Sequence, residues 1–414
     1  MGSPNNNDWT KVLGWPGYRV FQQEINETNK TLKLWVRRKK TGLKLICSSC
    51  GKHVRQIHEV YEREVRDLPV FQYSTTIVVE LHRVRCPDCG VKAERVAQLP
   101  SKAPFSKRFE EAVGQGCESA AASQVARRFG LPASTVRAID LRYLKRWATS
   151  RRKPILRQMG IDELYLGKSK KFITVVSNLQ TGEPLWFGQD RRKETLDEFF
   201  RTQLSAMQRP RIQAACVDMW KPFQKSLQEW VPKCAIIYDK FHVMQHANKA
   251  VDEVRRAEFF RLGGSKRALV KGKRWLLLTR WVNLSEDKRQ VLTQLFRLNR
   301  RVMKAYLLKE SLEGLWRQAD EVAAAEYLTN WVRQLRWQRL AAFEKLAQML
   351  MDHHEGLINY YKYPVRFGVV EALNGNIRLL LRRGRGYQNL NYLLLKAQRM
   401  VATKTELVAF RKAA

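Results

Sequence analysis

The sequence has few acidic residues for its length. Asp and Glu total 39 against 76 Lys and Arg, which leaves a net charge of +37 over 414 residues. Basic residues occur in nearly every segment, so the surplus is not a single basic tail. A positive field over the whole surface attracts phosphates and makes binding salt-dependent. We therefore expect nucleic acid as the partner rather than an anionic membrane, because no long basic amphipathic helix stands alone.

Two further absences narrow the class of protein. No uninterrupted apolar run approaches the roughly 20 residues that span a bilayer. The polar segment from Met1 to Asn7 lacks the apolar core of a secretory signal. The seven cysteines are odd in number, and four of them form Cys-x-x-Cys pairs. This usage is typical of metal binding in a reducing compartment rather than of disulfides, so we expect a cytoplasmic protein.

Two matched cysteine turns predict a zinc ribbon near the N-terminus. The cysteines are Cys47, Cys50, Cys86 and Cys89. A glycine follows each pair and permits the backbone conformation that such a turn needs. Residues 75–81 are strand-like and could form part of the ribbon's hairpin. Four thiolates complete a tetrahedral site without an open position, so we expect a structural Zn²⁺ ion.

Residues 106–147 have the pattern of three helices that include a helix-turn-helix. Val125, Ala126 and Phe129 form one apolar face. Gly130 is placed to end their helix, and Ser134 to cap the next one. A plain helical hairpin would share this pattern, but the charge and the neighbouring ribbon favour DNA recognition. The residues expected to contact DNA, in the second helix and the basic linker after it, are Thr135, Arg137, Arg142, Lys145, Arg151 and Arg152.

The next part of the chain alternates strands and helices in the order β-β-β-α-β-α-β. The first strand, residues 155–163, carries Asp162 near its end, the fourth ends in Asp218 and the fifth in Asp239. Glu163 should point to the opposite face of its strand and is expected to be structural. The order resembles the RNase H-like fold, which implies that the first and fourth strands are adjacent. Their two carboxylates could then share two Mg²⁺ ions, which prefer oxygen ligands and phosphates.

The third acid must come from a later segment, and we expect it to be Glu371. This residue opens a helical stretch, and the residues three and seven positions further on share its face. Such a face can present a carboxylate to metal beside groups that bind DNA. The residues expected to contact DNA here are Asn374, Arg378, Arg382, Arg383 and Arg385. Glu355 and Glu326 remain alternatives for the third acid.

These segments together resemble the transposases of bacterial insertion sequences of the ISL3 family, over almost the whole chain. The segments similar to the three catalytic motifs of the family are 160–163, 217–220, and 370–377 with 385–387. Residues 239–242, Asp-Lys-Phe-His, are similar to an Asp-x-x-His motif that follows the fifth strand in related transposases. The resemblance implies an auxiliary role for Asp239. It implies either a contact with the scissile phosphate or a structural role for His242.

The resemblance also implies a multidomain α+β architecture. The expected domains are a zinc-ribbon region, 1–100; a helix-turn-helix with its basic linker, 101–153; the first part of an RNase H-like α/β core, 154–242; a mostly helical insertion, 243–363; and a helical C-terminal part of the core, 364–414. The insertion holds Trp275, Trp281, Trp316, Trp331 and Trp337. Most of these tryptophans are expected in helix packing, with stacking on a flipped base as the alternative for one of them.

The function implied by the resemblance is that of a DDE transposase that binds terminal inverted repeats. Asp162, Asp218 and Glu371 would bind two Mg²⁺ ions, for which Mn²⁺ could substitute. Water would attack the phosphodiester at the element end, and the freed 3′-OH would attack target DNA. Synapsis of two ends implies at least a dimer, associated with the nucleoid. The alternatives are a transposase-derived regulator without catalysis, and a structure-specific nuclease that cuts without joining.

Overall fold

A computed structural model describes residues 6–39, 45–99, 102–151, 155–167, 171–335 and 337–403. The chain divides after Arg151 into two compact units. The first unit begins with α1 (Asn6–Leu13), β1 (Tyr18–Asn26), β2 (Thr31–Arg38), β3 (Leu45–Ile46), β4 (His53–Val54), β5 (Ile57–Val70), β6 (Tyr73–Cys86) and β7 (Gly90–Ala93). Its main sheet has the order β1-β2-β6-β5, with β7 also paired to β6.

One face of this sheet is buried. Leu32, Leu34 and Val36 alternate with more exposed residues along β2 and lie in the core of the unit. This alternation is typical of a strand with one solvated face. The strand predicted at residues 75–81 is confirmed as part of the longer β6.

Three helices follow, namely α2 (Lys107–Ser119), α3 (Ala122–Phe129) and α4 (Ala133–Ser150). The Ser106 hydroxyl accepts a hydrogen bond from the Phe109 N–H and caps α2. Gly130 ends α3 with a left-handed φ of 58°, as predicted. Val125 and Ala126 of α3 are buried. The three predicted helices are therefore present, with the tight turn at Gly130.

The start of α4 differs from the prediction at Ser134. Pro132 occupies the position just before the helix, and no side chain caps its first turn. Because the fixed φ of proline suits entry into a helix, α4 begins at Ala133, two residues earlier than a Ser134 cap requires. Ser134 is exposed in the first turn.

Five strands of the second unit form one sheet. They are β8 (Gln158–Gly167), β9 (Lys171–Asn178), β10 (Glu183–Gln189), β11 (Ala214–Val217) and β12 (Ala235–Tyr238). The sheet order is β10-β9-β8-β11-β12, with an antiparallel meander on one side and parallel pairing of β8, β11 and β12 on the other. The predicted adjacency of the first and fourth strands is thereby confirmed. Between the strands lie α5 (Lys193–Gln203) and α6 (Lys221–Trp230), which bury Phe199, Phe200 and Phe223 against the sheet.

The first strand of this sheet runs further than predicted. Residues 155–163 were expected, whereas β8 spans Gln158–Gly167, so Asp162 lies within the strand rather than near its end. The parallel ladder with β11 ends where Gly160 faces Cys216, but the antiparallel ladder with β9 continues to Gly167. Asp162 therefore lies beyond the end of the parallel ladder although its own strand continues.

Helices fill the region between β12 and the C-terminal segment. They are α7 (Lys240–Arg261), α8 (Arg274–Leu278), α9 (Glu286–Leu298), α10 (Arg300–Leu312), α11 (Glu321–Leu335), α12 (Ala341–Asp352) and α13 (His354–Lys362). Their buried side chains form one core, to which Trp331 and Trp316 belong. The expectation that most of the five tryptophans pack there is wrong, since Trp275, Trp281 and Trp337 are exposed by at least 36%. No helix in the described ranges is long and apolar enough to cross a membrane.

Two further helices return to the sheet, α14 (Phe367–Gly384) against β8 and α15 (Leu390–Ala402) against β10. The approach of α14 is close at Gly160. A Cβ atom at Gly160 would lie 2.9 Å from Val370 Cγ2 of α14 and 2.8 Å from both Leu179 Cδ2 and Ser177 Oγ. Since real Cβ atoms do not tolerate such distances, the absence of a side chain at Gly160 lets α14 pack next to Asp162.

Candidate active site and metal-binding residues

The structure brings the four predicted cysteines together in the first unit. The Sγ atoms of Cys47, Cys50, Cys86 and Cys89 all lie within 4.8 Å of one another. The Sγ atoms of Cys50 and Cys86 are 3.6 Å apart, close to the ~3.8 Å expected between thiolates around a tetrahedral zinc ion. Within the described ranges, no other group of three or more His, Cys, Asp or Glu side chains gathers its ligand atoms so closely.

The backbone around these cysteines explains how they converge. Gly51 and Gly90 have left-handed φ angles of 76° and 71°, as expected for the glycine after each Cys-x-x-Cys turn. The N–H groups of Cys50 and Ser49 donate to the Cys47 sulfur and lower the pKa of that thiol to about 7. A backbone hydrogen bond from Lys52 lowers the pKa of Cys50, but burial and the other three sulfur atoms of this site raise it to about 11. Thiols this close together do not all ionise readily without a cation between them.

The residues predicted to contact DNA from α4 have different surroundings. Arg137 and Lys145 are exposed, and Thr135 is half-buried. Arg142 instead donates to the Glu110 carboxylate of α2, with Nη2 and Oε1 2.6 Å apart, and Arg146 binds the other oxygen at 2.6 Å. Glu110 is fully buried, so Arg142 compensates a buried charge between two helices. The Arg142 side chain is also 33% exposed, and its contact with DNA stays a prediction.

The basic linker is described only at its first residue. The Arg151 guanidinium carbon lies 4.7 Å from the centroid of the Trp147 ring, a distance typical of a cation–π contact. Arg152 lies outside the described residues.

In the second unit, three aspartates follow the same edge of the sheet. Gly160 faces Cys216 in the parallel ladder, and Asp162 and Asp218 each lie two residues further on. Asp239 follows the last residue of β12, which pairs with the last residue of β11. Because neighbouring parallel strands advance together, this register puts the three carboxylates side by side.

Backbone hydrogen bonds hold the second and third of these carboxylates. The Trp220 N–H donates to Asp218 Oδ1 over 3.0 Å, which stabilises the turn before α6. The Phe241 N–H donates to Asp239 Oδ1 over 2.7 Å, so Asp239 caps α7. Each carboxylate keeps a second oxygen for another partner.

His242 lies between two of the aspartates. Its Nε2 is 3.8 Å from Asp162 Oδ1, and its Nδ1 is 3.9 Å from Asp239 Oδ2. These distances exceed those of hydrogen bonds. His242 Nδ1 is buried and lacks a hydrogen-bond partner within the described ranges. An imidazolium here would reduce the repulsion between the acids.

The three aspartates lie where negative charge is unfavourable. Burial raises the pKa of Asp162 and of Asp218, and burial together with neighbouring acids raises the pKa of Asp239 to about 6. Each carboxylate adds to the repulsion, since Asp162 raises the pKa of both Asp218 and Asp239. Clustered buried carboxylates of this kind are relieved by a bound cation.

The third predicted acid lies on α14, which reaches the same edge. Glu371 is exposed, and its charge raises the pKa of Asp239. Of the alternatives, Glu355 acts on Tyr238 through its charge, and Glu326 is exposed on α11. Within the described residues, neither Glu371 with the aspartates nor the three aspartates alone bring their ligand oxygens as close together as the cysteine sulfurs.

The remaining residues predicted on α14 divide between the site and the surface. Asn374 is buried, and its Nδ2 donates to Asp162 Oδ2. The amide therefore supports the first acid directly, while a contact of Asn374 with DNA stays a prediction. Arg378 is exposed, and its charge lowers the pKa of Asp162. Arg382 and Arg385 are exposed near the end of the helix, and Arg383 is half-buried.

Sequence reasoning missed Arg191, which follows β10. Its Nη1 lies 3.2 Å from Glu163 Oε2, and its charge lowers the pKa of Asp218. Nothing in the polar turn around Arg191 marks it as different from its neighbours. The available signal was Trp220, an aromatic residue two positions after the second acid, where the side chain is 38% exposed.

Comparisons with known proteins agree with this arrangement. Residues 159–397 match a transposase family model, ISL3 with a DDE domain. Residues 45–89 match the zinc-finger of transposase IS204/IS1001/IS1096/IS1165. The transposase for insertion sequence element IS1001 of Bordetella parapertussis is 32% identical over 391 residues, which cover 92% of this chain and 95% of that protein. The transposase for IS1557 of Mycobacterium tuberculosis is 24% identical over 384 residues, 86% and 85% of the two chains.

A zinc-finger segment followed by an α/β unit with acids at one sheet edge defines an enzyme of the DDE transposase class. The family match over residues 159–397 and the 32% identity over 92% of the chain define the family. The chain belongs to the ISL3 family of transposases. The family's zinc finger and the four clustered thiols together support a structural zinc ion.

Proposed function

We propose that this chain cleaves DNA at the ends of an insertion sequence and joins them to target DNA, with Asp162, Asp218 and Glu371 as the catalytic acids. The observation that supports this most is the register of β8 and β11, which brings Asp162 and Asp218 side by side. The strand order β10-β9-β8-β11-β12 supports the proposal that this sheet is an RNase H-like core. In this proposal, α14 supplies Glu371 from the C-terminal part of the core.

The donor set fits divalent cations that prefer oxygen. Asp162, Asp218 and Glu371 offer carboxylate oxygens, which Mg²⁺ binds together with substrate phosphates. Glu163 Oε1 and Asn374 Oδ1, both buried nearby, lack hydrogen-bond partners within the described residues and could accept from metal-bound water. Two bound Mg²⁺ ions would supply Lewis-acid stabilisation of the attacking and leaving oxygens.

The protein's own residues position the reacting groups. Asn374 orients Asp162 through its amide, and His242 offers a proton donor between Asp162 and Asp239. In the first step a water oxygen bonds to phosphorus and loses a proton, the bond to the 3′ oxygen breaks, and that 3′ oxygen takes a proton. In the second step the 3′-OH oxygen bonds to a target phosphorus and loses its proton, and the displaced 3′ oxygen of the target takes a proton.

The first unit would select the DNA ends. Next to the zinc ribbon in sequence, the helix-turn-helix carries the exposed side chains of Arg137 and Lys145 on α4, which suit phosphates and base edges. We infer that they recognise terminal inverted repeats. Joining two ends requires at least two copies of the chain in a synaptic complex, associated with the nucleoid, where its substrate lies.

The test is end cleavage by single-acid variants. Asp162→Asn, Asp218→Asn and Glu371→Gln should each lower the Mg²⁺-dependent cleavage rate by at least ~10³-fold, since each removes a charged metal ligand. Glu355→Gln and Glu326→Gln are matched controls on neighbouring helices and should cleave at the wild-type rate. If Glu371→Gln cleaves at the wild-type rate while Glu355→Gln or Glu326→Gln loses cleavage, the third acid is the residue whose variant loses cleavage.

Two measurements separate the alternatives. A regulator without catalysis would bind the repeats but yield no Mg²⁺-dependent cleavage in the wild-type chain. A structure-specific nuclease would cleave, yet would form no joined product from pre-cleaved ends with a free 3′-OH. The proposal requires both products, and both must disappear in Asp162→Asn.

A further inference from the structure

We propose that Arg191 binds a phosphate of the DNA next to the acidic site and positions the substrate there. Arg191 lies between β10 and α5, outside the segments that are similar to the three catalytic motifs of the family. The inference rests on the proposed function, because it names a substrate contact of the same site. It depends on three features, namely an aromatic clamp, a single acidic partner and the position beside Asp218.

The clamp consists of two aromatic rings that contact the guanidinium. The Arg191 guanidinium carbon lies 4.9 Å from the centroid of the Phe172 ring and 4.9 Å from that of the Trp220 ring. The Trp220 Nε1–H also donates to the Arg191 carbonyl oxygen over 3.1 Å, which ties the indole to the turn. A planar cation that packs on two aromatic rings loses little further freedom when it binds an anion.

The clamp leaves donor groups available. Within the described residues, the guanidinium donates one hydrogen bond, from Nη1 to Glu163 Oε2 over 3.2 Å. A guanidinium has five N–H donors, and the Arg191 side chain is 46% exposed. Donors therefore remain that can reach solvent or a ligand. Arg142, by comparison, places two donors on the fully buried Glu110 carboxylate.

Trp220 links the clamp to the second catalytic acid. Its backbone N–H donates to Asp218 Oδ1, while its ring packs on Arg191. A phosphate bound by Arg191 would thus lie beside the proposed metal ligands. Arginine matches phosphate with two parallel hydrogen bonds, which gives orientation as well as affinity.

The first measurement is single-turnover cleavage of a duplex that carries the terminal repeat of the element. Arg191→Ala should lower the cleavage rate by at least ~10-fold, the scale of one lost charged contact. Arg191→Lys keeps the charge but not the planar fork, and it should recover only part of the rate. Arg192→Ala removes the adjacent, exposed arginine and should stay close to wild type. Thermal unfolding of each variant reports whether the fold is retained.

The decisive measurement replaces single phosphates of the duplex with neutral methylphosphonates. If Arg191 contacts one phosphate, the loss caused by Arg191→Ala should vanish at that position alone, since the partner charge is already gone. If the rate losses from the substitution and from the methylphosphonate add at every position, for both Arg191→Ala and Arg191→Lys, the proposal is overturned. A lowered melting temperature with additive losses would assign Arg191 a structural role.

The same set of methylphosphonate duplexes can be used to measure binding instead of cleavage. Binding of each duplex in Ca²⁺ would be measured for wild type and for Arg191→Ala. If wild type binds but does not cleave in Mg²⁺, the proposed function fails, while a binding loss that disappears at one phosphate still supports the Arg191 contact. Equal binding losses at all positions would exclude that contact irrespective of catalysis.

Discussion

Asn374 and Asp162 are 212 positions apart in the chain, and the Asn374 amide donates a hydrogen bond to Asp162 Oδ2. The bond joins α14 to β8 at the edge where the acids lie. Both partners are largely withdrawn from solvent, with Asn374 only 3% exposed. A charged acceptor makes this a stronger bond than one between neutral groups. Asn374 therefore links the placement of Glu371, one turn earlier on the same helix, to the orientation of Asp162.

Loss of this amide should impair catalysis more than folding. Asn374→Ala leaves one Asp162 oxygen without its donor, so we expect the cleavage rate to fall by at least ~10-fold. Asn374→Asp should be worse, because it places another negative charge beside buried acids. The measurement is single-turnover cleavage at saturating Mg²⁺. Asn376→Ala, two residues further on α14, is the control and should cleave like wild type. If Asn374→Ala also retained the wild-type rate, the bond would have no role in catalysis.

The contact of α14 with β8 at Gly160 should be sensitive to a single methyl group. Gly160→Ala adds a Cβ where Val370, Leu179 and Ser177 leave no room. The clash can be relieved only if α14 shifts. Overpacking of this kind lowers the free energy of unfolding by about 1–3 kcal/mol. We expect a lower melting temperature together with loss of cleavage, since Asn374 and Glu371 would move with the helix.

A second glycine on the same helix provides the control for that change. A Cβ at Gly375 meets no atom within 4 Å. Alanine favours a helix interior by ~1 kcal/mol over glycine. Gly375→Ala should therefore raise the melting temperature slightly. A Gly160→Ala protein as stable and as active as wild type would show that the close packing at Gly160 is not required.

The sequence predicted the parts of the site that depend on local pattern. Strands that end in acids placed Asp218 and Asp239 correctly, and matched Cys-x-x-Cys-Gly turns identified the zinc ligands. The error at Asp162 arose because the hydrophobic run does not show where pairing with β11 stops and pairing with β9 continues. Strand length at that point depends on two different neighbours, and the neighbours come from distant segments.

Side-chain partners across elements were harder to predict. Asn374 and Arg142 carry polar groups suited to DNA, and each was predicted to share a helix with other residues that bind DNA. Their actual acceptors, Asp162 and Glu110, lie on other elements. Helical periodicity states which residues share a face, but not what packs against it. The long sheet of the first unit was missed for the same reason, since β2 pairs in parallel with β6 across the ribbon sequence.

The zinc site makes a prediction that does not depend on DNA. Cys47→Ser or Cys89→Ser should reduce bound zinc from one ion per chain to nearly none, because three thiolates bind far more weakly than four. Loss of the metal should also unfold the ribbon, since metal binding and folding are coupled in such small units. Zinc is measured in purified protein by atomic absorption. Cys234→Ser, at a half-buried thiol of the second unit, should retain the full zinc content.

Glu258 should make the helical region of the second unit sensitive to acid. It is 1% exposed at the end of α7, where it accepts from Arg261 Nη2 over 2.6 Å, from Arg301 Nε over 3.1 Å and from Asn299 Nδ2 over 2.9 Å. Burial raises the pKa of Glu258, but the hydrogen bonds from Arg261 and Asn299 outweigh burial and leave the pKa below its ordinary value. The ionised carboxylate thus ties α7 to the start of α10.

Glu258→Gln should remove about 2 kcal/mol of stability at neutral pH, the scale of hydrogen bonds to a charged group. Since the folded pKa is lowered, this contribution is fully present above the unfolded value of about 4.3. It is lost as the pH falls through the folded pKa. Melting temperatures of wild type and variant should therefore differ at pH 7 and converge below pH ~4. Glu253→Gln, exposed on the same helix, should match wild type throughout. A gap between wild type and Glu258→Gln that stays constant with pH would mean that packing of the side chain, rather than its charge, holds the two helices together.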